Sequence, residues 1–236
     1  MFRLELANGI AIVHLDAPPV NAMSFGRWAE LPAVIHDAES SGAGAIVFSG
    51  APHKHFCGGN DVLEFDGITR AGTLQGIGAV RDAMRAVTCS TLPSVAALHG
   101  AVMGSGLILA AACDIRLATA DARLALPEVK VGAYGGYAML KAHLPHGVAR
   151  ALTLLGSPIS GQRAFDLGFV HELAADANGV LERALTLATE VGKNLASPLG
   201  EQIKAVMNHQ DDNALWPAYD IERDYAASIM GMSASS

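Results

Sequence analysis

Cys57-Gly58-Gly59-Asn60-Asp61 and Met103-Gly104-Ser105-Gly106 are two glycine-flanked turns from which the rest of this 236-residue sequence can be interpreted. Each turn follows an apolar run typical of a buried strand and precedes a stretch that can form a helix. Turns of this kind can direct backbone N–H groups into a cleft. If the two turns converge, those N–H groups form an oxyanion hole, which stabilises negative charge on a substrate oxygen.

The composition is that of a compact protein with one large core. Apolar residues make up 51% of the chain and charged residues 17%, which is far from the composition of disordered proteins. A length of 236 residues allows one well-buried core with a small appendage. The net charge of -7 argues against a nucleic-acid partner, which requires a basic face, but leaves room for a small anionic ligand.

Cysteine usage and hydropathy indicate a cytoplasmic protein with no membrane partner. Three widely spaced cysteines, Cys57, Cys89 and Cys113, form no disulfide pattern and suit a reducing compartment. The N-terminal residues alternate like a strand and do not resemble a signal peptide. The longest apolar run, 100–113, is interrupted by glycines and is shorter than the ~20 residues of a membrane span.

The N-terminal part of the chain predicts alternating strands and helices. Asn8-Gly9 joins two alternating strands in a hairpin, and Ser24 can cap a helix from Phe25 to about Ser40. Segment 66–78 is rich in glycine and small polar residues, so we expect a mobile loop there and a helix only over 78–87. The other predicted elements are strands 45–49, 94–98, 114–118 and 123–126 and a buried helix 107–112.

Helical periodicity dominates after Gly132. Shorter helices are predicted over 137–143, 149–155 and 162–167, and longer ones over 180–194, 198–208 and 214–230. A change of character near Asp176-Ala177-Asn178-Gly179 divides the chain into a mixed α/β core, residues 1–178, and a helical C-terminal region, residues 179–236. The expected fold class is therefore α/β.

Seven short elements accompany the two turns in a characteristic order. They are PVNAMS at 19–24, KHFCGGND at 54–61, PSVAALHG at 93–100, ACDIRLA at 112–118, LPEVKVG at 126–132, GSPIS at 156–160 and AFDLGFV at 164–170. In this order they resemble the crotonase (enoyl-CoA hydratase/isomerase) superfamily over nearly the whole chain. The resemblance implies a spiral of strand–strand–helix turns, and a helical C-terminal region that packs subunits into a homotrimer or a dimer of trimers.

The resemblance also implies an acyl-CoA thioester as substrate, with coenzyme A entering as part of it and with no metal or redox cofactor. The thioester oxygen would lie between the backbone N–H groups of Asn60 and Ser105, and Glu128 matches a catalytic glutamate of the family. The same resemblance places further residues at the substrate. These are Ala22, Lys54, Phe56, Gly58, Gly59, Asp61, Gly104 and Ile108.

Glu128 and Ile108 together bear on the reaction. A carboxylate that is partly desolvated beside an acyl chain has a raised pKa, which suits a general base, although spacing alone favours a surface glutamate at Glu128. Hydratases of the superfamily carry a second glutamate where this chain has Ile108. Hydration needs one carboxylate to activate water and another to deliver a proton. We therefore expect isomerase-like proton transfer by a single carboxylate, or only weak hydration.

Other functions stay open at this stage. The methylmalonyl-CoA decarboxylase branch of the superfamily carries a tyrosine near the position of Tyr134, and segment 157–160 resembles that branch as well. Tyr134 therefore either takes part in an acyl-CoA decarboxylase or hydrolase reaction or simply packs. The loss of a glutamate at Ile108 is equally compatible with a non-catalytic acyl-CoA binder.

Several side chains near the first turn have alternative interpretations. His53, His55 and Cys57 alternate as zinc ligands on a strand would, but no fourth ligand is indicated. Asp61 is predicted to cap the helix that follows it. Asp61, and more weakly Glu64 and Asp66, could replace the missing second carboxylate.

Overall fold

The computed structural model describes residues 2–50, 54–196 and 198–233. The strands are β1 (Phe2–Ala7), β2 (Ile10–Leu15), β3 (Ala22–Met23), β4 (Ala45–Ser49), β5 (Gly59–Asn60), β6 (Ser94–Leu98), β7 (Ala101–Met103), β8 (Ile115–Thr119), β9 (Arg123–Ala125), β10 (Ile159–Ser160) and β11 (Glu172–Ala174). The helices are α1 (Phe25–Ser40), α2 (Arg70–Cys89), α3 (Ser105–Ala112), α4 (Tyr137–His143), α5 (His146–Leu155), α6 (Gly161–Asp166), α7 (Ala177–Asn194) and α8 (Pro198–Ser233). Short 3₁₀ turns cover Val62–Phe65 and Glu128–Val131.

The main sheet has six strands in the order β1-β2-β4-β6-β8-β11. The hairpin of β1 and β2 is antiparallel, and every later pairing in this sheet is parallel. Strands β2, β4 and β6 are buried along their whole length, as parallel strands covered on both faces are. Helix α7 covers one face, and α1, α2 and α3 contribute to the larger core on the other.

A second layer of strands leads to the two glycine turns. Strand β7 pairs in parallel with β9, and β3 pairs in parallel with β5. The chain thus runs from β4 to β5 and α2, and then from β6 to β7 and α3, which are repeated strand–strand–helix turns. This confirms the predicted α/β fold, and an isolated parallel bridge between Cys57 and Val102 brings the two glycine turns together.

The prediction of a mobile loop over 66–78 is wrong from Arg70 onward, where α2 begins. The Thr69 hydroxyl accepts a hydrogen bond from the Gly72 amide at 3.1 Å and so caps the helix. A methyl group at Gly76 would lie 2.5 Å from the ring of Phe25. Gly76 therefore allows α2 to pack closely on α1. Composition alone does not distinguish a glycine that serves packing from one in a mobile loop.

The prediction of separate helices over 198–208 and 214–230 is also wrong, because α8 is continuous through both segments. Tertiary contacts hold it along its length. Lys204 Nζ donates to Asp114 Oδ2 at 2.8 Å and to the Leu92 carbonyl at 2.7 Å. Further along, Arg81 Nη2 of α2 donates to Asp220 Oδ2 at 3.0 Å. Helix α7 contacts the main sheet, and the division of the chain at residue 178 stays a prediction.

Across the described parts of the chain, every helix is too short or too polar to cross a lipid bilayer.

Gly76→Ala and Gly78→Ala form a matched pair that tests the packing of α2. Ala at position 76 would collide with Phe25, so we expect a loss of about 1–3 kcal/mol in the free energy of unfolding. Nothing lies within 4 Å of a methyl group at Gly78, so Ala there should stabilise the helix by about 0.5–1 kcal/mol. Urea unfolding measures both. Equal effects of the two substitutions would contradict the close contact.

Candidate active site

Asn21 holds the first glycine turn in place. It is fully buried and adopts a positive φ of 56°, a conformation that Asn tolerates better than most residues. Its Oδ1 accepts from the Ala17 amide at 2.9 Å, and its Nδ2 donates to the carbonyls of His55 at 2.9 Å and Phe56 at 3.3 Å. Asn21 lies within the short element 19–24, but this role could not be predicted from the sequence.

The second turn packs directly against the first. The Cys57 amide donates to the Ala101 carbonyl at 3.1 Å, and the Met103 amide donates to the Cys57 carbonyl at 2.9 Å. A methyl group at Gly106 would lie 2.5 Å from Cys57 Cβ, and one at Gly59 would lie 3.4 Å from the Ser105 nitrogen. The backbones of the two turns are therefore in contact.

The side chains of Asn60 and Ser105 connect the turns as well. Asn60 Oδ1 accepts hydrogen bonds from Ser105 Oγ and from Trp28 Nε1 of α1, both at 2.8 Å. These side-chain contacts could not be predicted from the sequence, because they depend on the approach of three separate elements. The two bonds hold the Asn60 side chain between α1 and the second turn.

The backbone N–H groups of Asn60 and Ser105 differ in their surroundings from those of their neighbours. The Asp61 amide donates to Met23 of β3 at 2.9 Å, and successive N–H groups of a strand point to opposite sides. The Asn60 N–H therefore points away from β3. Ser105 is the first residue of α3, where N–H groups have no partner within the helix.

Glu128 lies beside the second turn. Gly104 has a φ of 53°, and a methyl group there would lie 2.7 Å from Glu128 Oε1 and 3.8 Å from Gly59 Cα. Glu128 Oε2 is shielded from solvent and has no hydrogen-bond partner among the described residues. Burial raises the pKa of Glu128 from 4.5 to about 7. The alternative of a surface glutamate is therefore wrong for this side chain.

A narrow cavity connects Glu128 with the two turns. Glu128, Asn60, Ser105, Ile108 and Tyr134 all line it, so the structure brings together these five predicted site residues. Its remaining wall is mainly apolar or glycine and includes Phe65, Ile77, Val80, Ala133, Gly135, Gly136 and Tyr219. Tyr219 lies on α8 and was not predicted at the site, because nothing local in the sequence links α8 to this cavity.

The other predicted substrate residues surround the turns in different ways. Gly59 pairs with Ala22 of β3, and a methyl group at Gly58 would lie 3.0 Å from the Val20 carbonyl. Lys54 is exposed, whereas the Phe56 side chain is fully buried in the main core. Asp61 Oδ1 accepts from the Leu63 amide at 3.1 Å, so Asp61 caps the following 3₁₀ turn as predicted.

Two of the three candidate replacements for a second carboxylate accept hydrogen bonds from backbone amides outside the cavity. Asp61 serves its cap, and Glu64 Oε2 accepts from the Phe25 amide at 2.6 Å at the start of α1. Asp66 is exposed. Glu222 of α8 is a further buried carboxylate that was not predicted from the sequence. Its Oε1 accepts a hydrogen bond from the Ala138 amide at 2.6 Å.

The zinc alternative falls partly outside the described residues, because it includes His53. His55 Nδ1 accepts from the Ala101 amide at 3.1 Å, and Cys57 Sγ donates to the Asn21 carbonyl at 3.2 Å. Burial raises the pKa of Cys57 to about 12, which disfavours a thiolate. Within residues 2–50, 54–196 and 198–233, no group of three His, Cys, Asp or Glu side chains could hold a metal ion.

Glu128→Gln should change how stability depends on pH. Because the pKa of Glu128 is raised in the folded state, the native protein binds one more proton than the unfolded chain between pH 4.5 and about 7, and it loses stability as pH rises through that window. Gln carries no such penalty. Relative to the wild type, the variant should gain roughly 2–4 kcal/mol between pH 4.5 and 8.5 in urea unfolding. The exposed control Glu182→Gln should show no such trend, and a flat Glu128→Gln difference would contradict burial of the carboxylate.

Comparisons with known proteins identify the family of this chain. The family model for enoyl-CoA hydratase/isomerase matches residues 5–233. A probable enoyl-CoA hydratase of Bacillus subtilis (strain 168) is 34% identical over 208 residues, which are 85% of this chain and 80% of that protein. The peroxisomal bifunctional enzyme of Danio rerio is 35% identical over 84% of this chain, which corresponds to 27% of that longer protein.

Solved structures of enoyl-CoA hydratase/isomerases have the same fold as this chain. The crystal structure of an enoyl-CoA hydratase/isomerase from Xanthobacter autotrophicus Py2 superimposes with a TM-score of 0.89 at 25% identity and covers 98% of this chain and 87% of that one. An enoyl-CoA hydratase/isomerase from Mycobacterium paratuberculosis gives a TM-score of 0.86, also at 25% identity, over 98% and 93% of the two chains. The chain therefore belongs to the enoyl-CoA hydratase/isomerase family and has the fold of the crotonase superfamily.

Proposed function

We propose that this protein stabilises the enolate of an acyl-CoA thioester and moves a proton at the substrate carbon with Glu128, most effectively as an enoyl-CoA double-bond isomerase. The observation that supports this most directly is the place of the Glu128 carboxyl, buried and next to Gly104 where the two turns meet. A base and two backbone donors on one cavity are the parts that proton abstraction beside a thioester requires.

The N–H groups of Asn60 and Ser105 would hold the thioester oxygen. Both belong to residues that line the Glu128 cavity, and the contact of Gly59 with the second turn brings their backbones close together. Backbone donors that are already oriented cost little reorganisation when charge develops on the oxygen. Loss of one such donor in other enzymes costs about 2.7–4 kcal/mol of transition-state stabilisation.

Glu128 has the properties of a general base near neutral pH. A base is most effective when its pKa lies close to the working pH, and burial raises the pKa of Glu128 to about 7. Because Oε2 has no partner among the described residues, it is available to a substrate proton. We expect activity to rise with pH through this pKa, as Glu128 becomes ionised.

Ile108 supports isomerisation over hydration. Its side chain lines the Glu128 cavity and is almost fully buried, so an apolar group stands where hydratases of the superfamily carry a second glutamate. A single carboxylate can remove a proton from one carbon and return it to another on the same face. Adding water would need a second group, so that one activates the water molecule and the other protonates the substrate carbon.

A decarboxylase or hydrolase is the second candidate, and Tyr134 favours it. Tyr134 lines the Glu128 cavity together with Asn60 and Ser105, so its side chain would lie beside an acyl group bound there. The same oxyanion hole would stabilise the enolate left after loss of carbon dioxide, or the tetrahedral intermediate of thioester hydrolysis. A non-catalytic acyl-CoA binder would bind these ligands without turnover.

We further propose that the enzyme works in the cytoplasm as a homotrimer or a dimer of trimers, with coenzyme A bound as part of the substrate near Lys54. Exposed apolar side chains next to the site support association between copies of the chain. They are Val129, Val131, Leu154 and Leu155. Exposed apolar patches of this kind are typical of surfaces that become buried in an assembly.

A panel of CoA thioesters distinguishes the candidate reactions. We expect a 3-enoyl-CoA to be converted into its 2-enoyl isomer, which liquid chromatography separates, with deuterium incorporated in D₂O. Glu128→Gln should lower this kcat by about 10²–10⁴-fold, whereas the exposed control Glu182→Gln should not. Mass spectrometry identifies the alternatives, because water gain would contradict the isomerase preference and loss of carbon dioxide from a malonyl-type thioester would favour the decarboxylase. Binding without any turnover would indicate a non-catalytic protein.

Ser105→Pro and Ser105→Ala test the oxyanion donor. Proline is well tolerated at the first position of a helix but has no N–H, so Ser105→Pro removes the proposed donor. We expect kcat to fall by about 10²–10³-fold. Ser105→Ala keeps the N–H and loses only the hydroxyl that donates to Asn60, so its kcat should fall by less than about tenfold. Equal losses in two variants of similar melting temperature would rule out the Ser105 N–H as the donor.

A further inference from the structure

Helix α8 contributes a buried carboxylate next to the candidate active site. Tyr219 of α8 lines the Glu128 cavity, and Glu222 follows three residues later on the same face of the helix. Glu222 is only 7% exposed, and its Oε2 has no hydrogen-bond partner among the described residues. A buried carboxylate is costly unless it makes compensating hydrogen bonds. The bonds that Glu222 does make therefore indicate its role.

Glu222 caps the N-terminus of helix α4, although it lies 84 residues further along the chain than Ala138. Its Oε1 accepts from the Ala138 amide at 2.6 Å, in the first turn of α4. The residue in the local N-cap position is Gly136, which has no side chain to serve the helix. The cap that Ser, Thr, Asn or Asp would normally supply at this position comes instead from another helix.

The backbone at Gly136 disfavours a local cap on α4. Gly136 adopts a φ of 84°, which side chains other than glycine rarely adopt. A methyl group there would also lie 2.6 Å from Ile108 Cδ1. A capping side chain at position 136 would be strained, and Glu222 supplies the cap across the space between α4 and α8.

The segment that this cap stabilises forms one wall of the active site. Ala133, Tyr134, Gly135 and Gly136 all line the Glu128 cavity immediately before α4 begins. Two consecutive glycines give this segment little conformational preference of its own. On its other side, Tyr134 shares a second cavity with Glu222, Ile221 and Tyr225. The segment thus lies between the proposed base and the α8 carboxylate.

We propose that Glu222 is a positioning residue of the active site: by holding the first turn of α4 to α8, it fixes segment 133–136 and the Tyr134 side chain against the Glu128 cavity. This role rests on the proposed function for its effect on turnover. The hydrogen bond from the Ala138 amide carries it, so the reach of the side chain matters more than its charge. Glu222 does not itself touch the acyl group in this scheme.

Three substitutions separate reach from charge. Glu222→Gln keeps an oxygen at the same distance and removes the charge, Glu222→Asp keeps the charge but is one methylene too short, and Glu222→Ala removes both. Asp224→Asn is the matched control, because Asp224 is exposed on α8 and its carboxylate accepts hydrogen bonds from the adjacent Arg223. All four variants are made in the whole 236-residue chain.

We expect Glu222→Gln and Asp224→Asn to retain kcat within about threefold, since the bond to Ala138 persists in the first and is not involved in the second. In Glu222→Asp and Glu222→Ala, kcat should fall by about 10–100-fold because the wall beside the acyl group is misplaced. KM should change by less than about threefold, since the CoA portion is held elsewhere. Hydrogen exchange of the amides of 133–138 should accelerate in the same two variants only.

Contrary results are equally clear. Loss of activity in Glu222→Gln with retention in Glu222→Asp would mean that charge matters and would overturn the positioning role. Unchanged exchange over 133–138 in Glu222→Asp would overturn the anchor itself. A lower melting temperature with an unchanged kcat would show a purely structural cap. If Glu222→Ala fails to fold, the Gln and Asp variants still decide. If the wild type converts no thioester, the proposed function fails, while hydrogen exchange still tests the anchor.

Discussion

Direct backbone contact between the two glycine turns is the constraint on which the site depends. A side chain at Gly59 or Gly106 would collide with the opposite turn, at Met103 or Cys57 respectively. Hydrogen bonds between Cys57, Ala101 and Met103 join the same segments, and the Asn21 side chain holds the chain just before the first turn. Everything else in the site is arranged around this contact, because only glycine allows two backbones to approach so closely.

In the proposed mechanism, function and stability oppose each other at Glu128. Glu128 would contribute more to stability if it were exposed or paired, yet its carboxyl is buried beside Gly104 and its pKa is raised to about 7. A base that titrates near neutral pH requires this environment. The surrounding core, with α7 on one face of the sheet and α1 to α3 on the other, provides the rigidity that keeps the carboxyl there.

Ile108 and Glu222 lie on opposite sides of the segment that begins α4. Ile108 lies close to Gly136, whose positive φ disfavours a local capping side chain, and Glu222 of α8 supplies the cap. The C-terminal helix thereby becomes part of the architecture of the site, through Tyr219 at the cavity and Glu222 behind it.

Sequence alone determined the α/β class, the hairpin at Asn8-Gly9, most strand positions and, through ordered short motifs, the family. These depend on local periodicity, on turn chemistry and on residues close together in the chain. The same local signals were misleading over 66–78 and between the two halves of α8, where glycines or polar residues suggested breaks that tertiary contacts with Phe25, Asp114 and Arg81 override. Only the tertiary structure could show that Trp28 orients Asn60, that Glu128 is buried, and that Glu222 reaches α4, because each depends on which distant elements pack together.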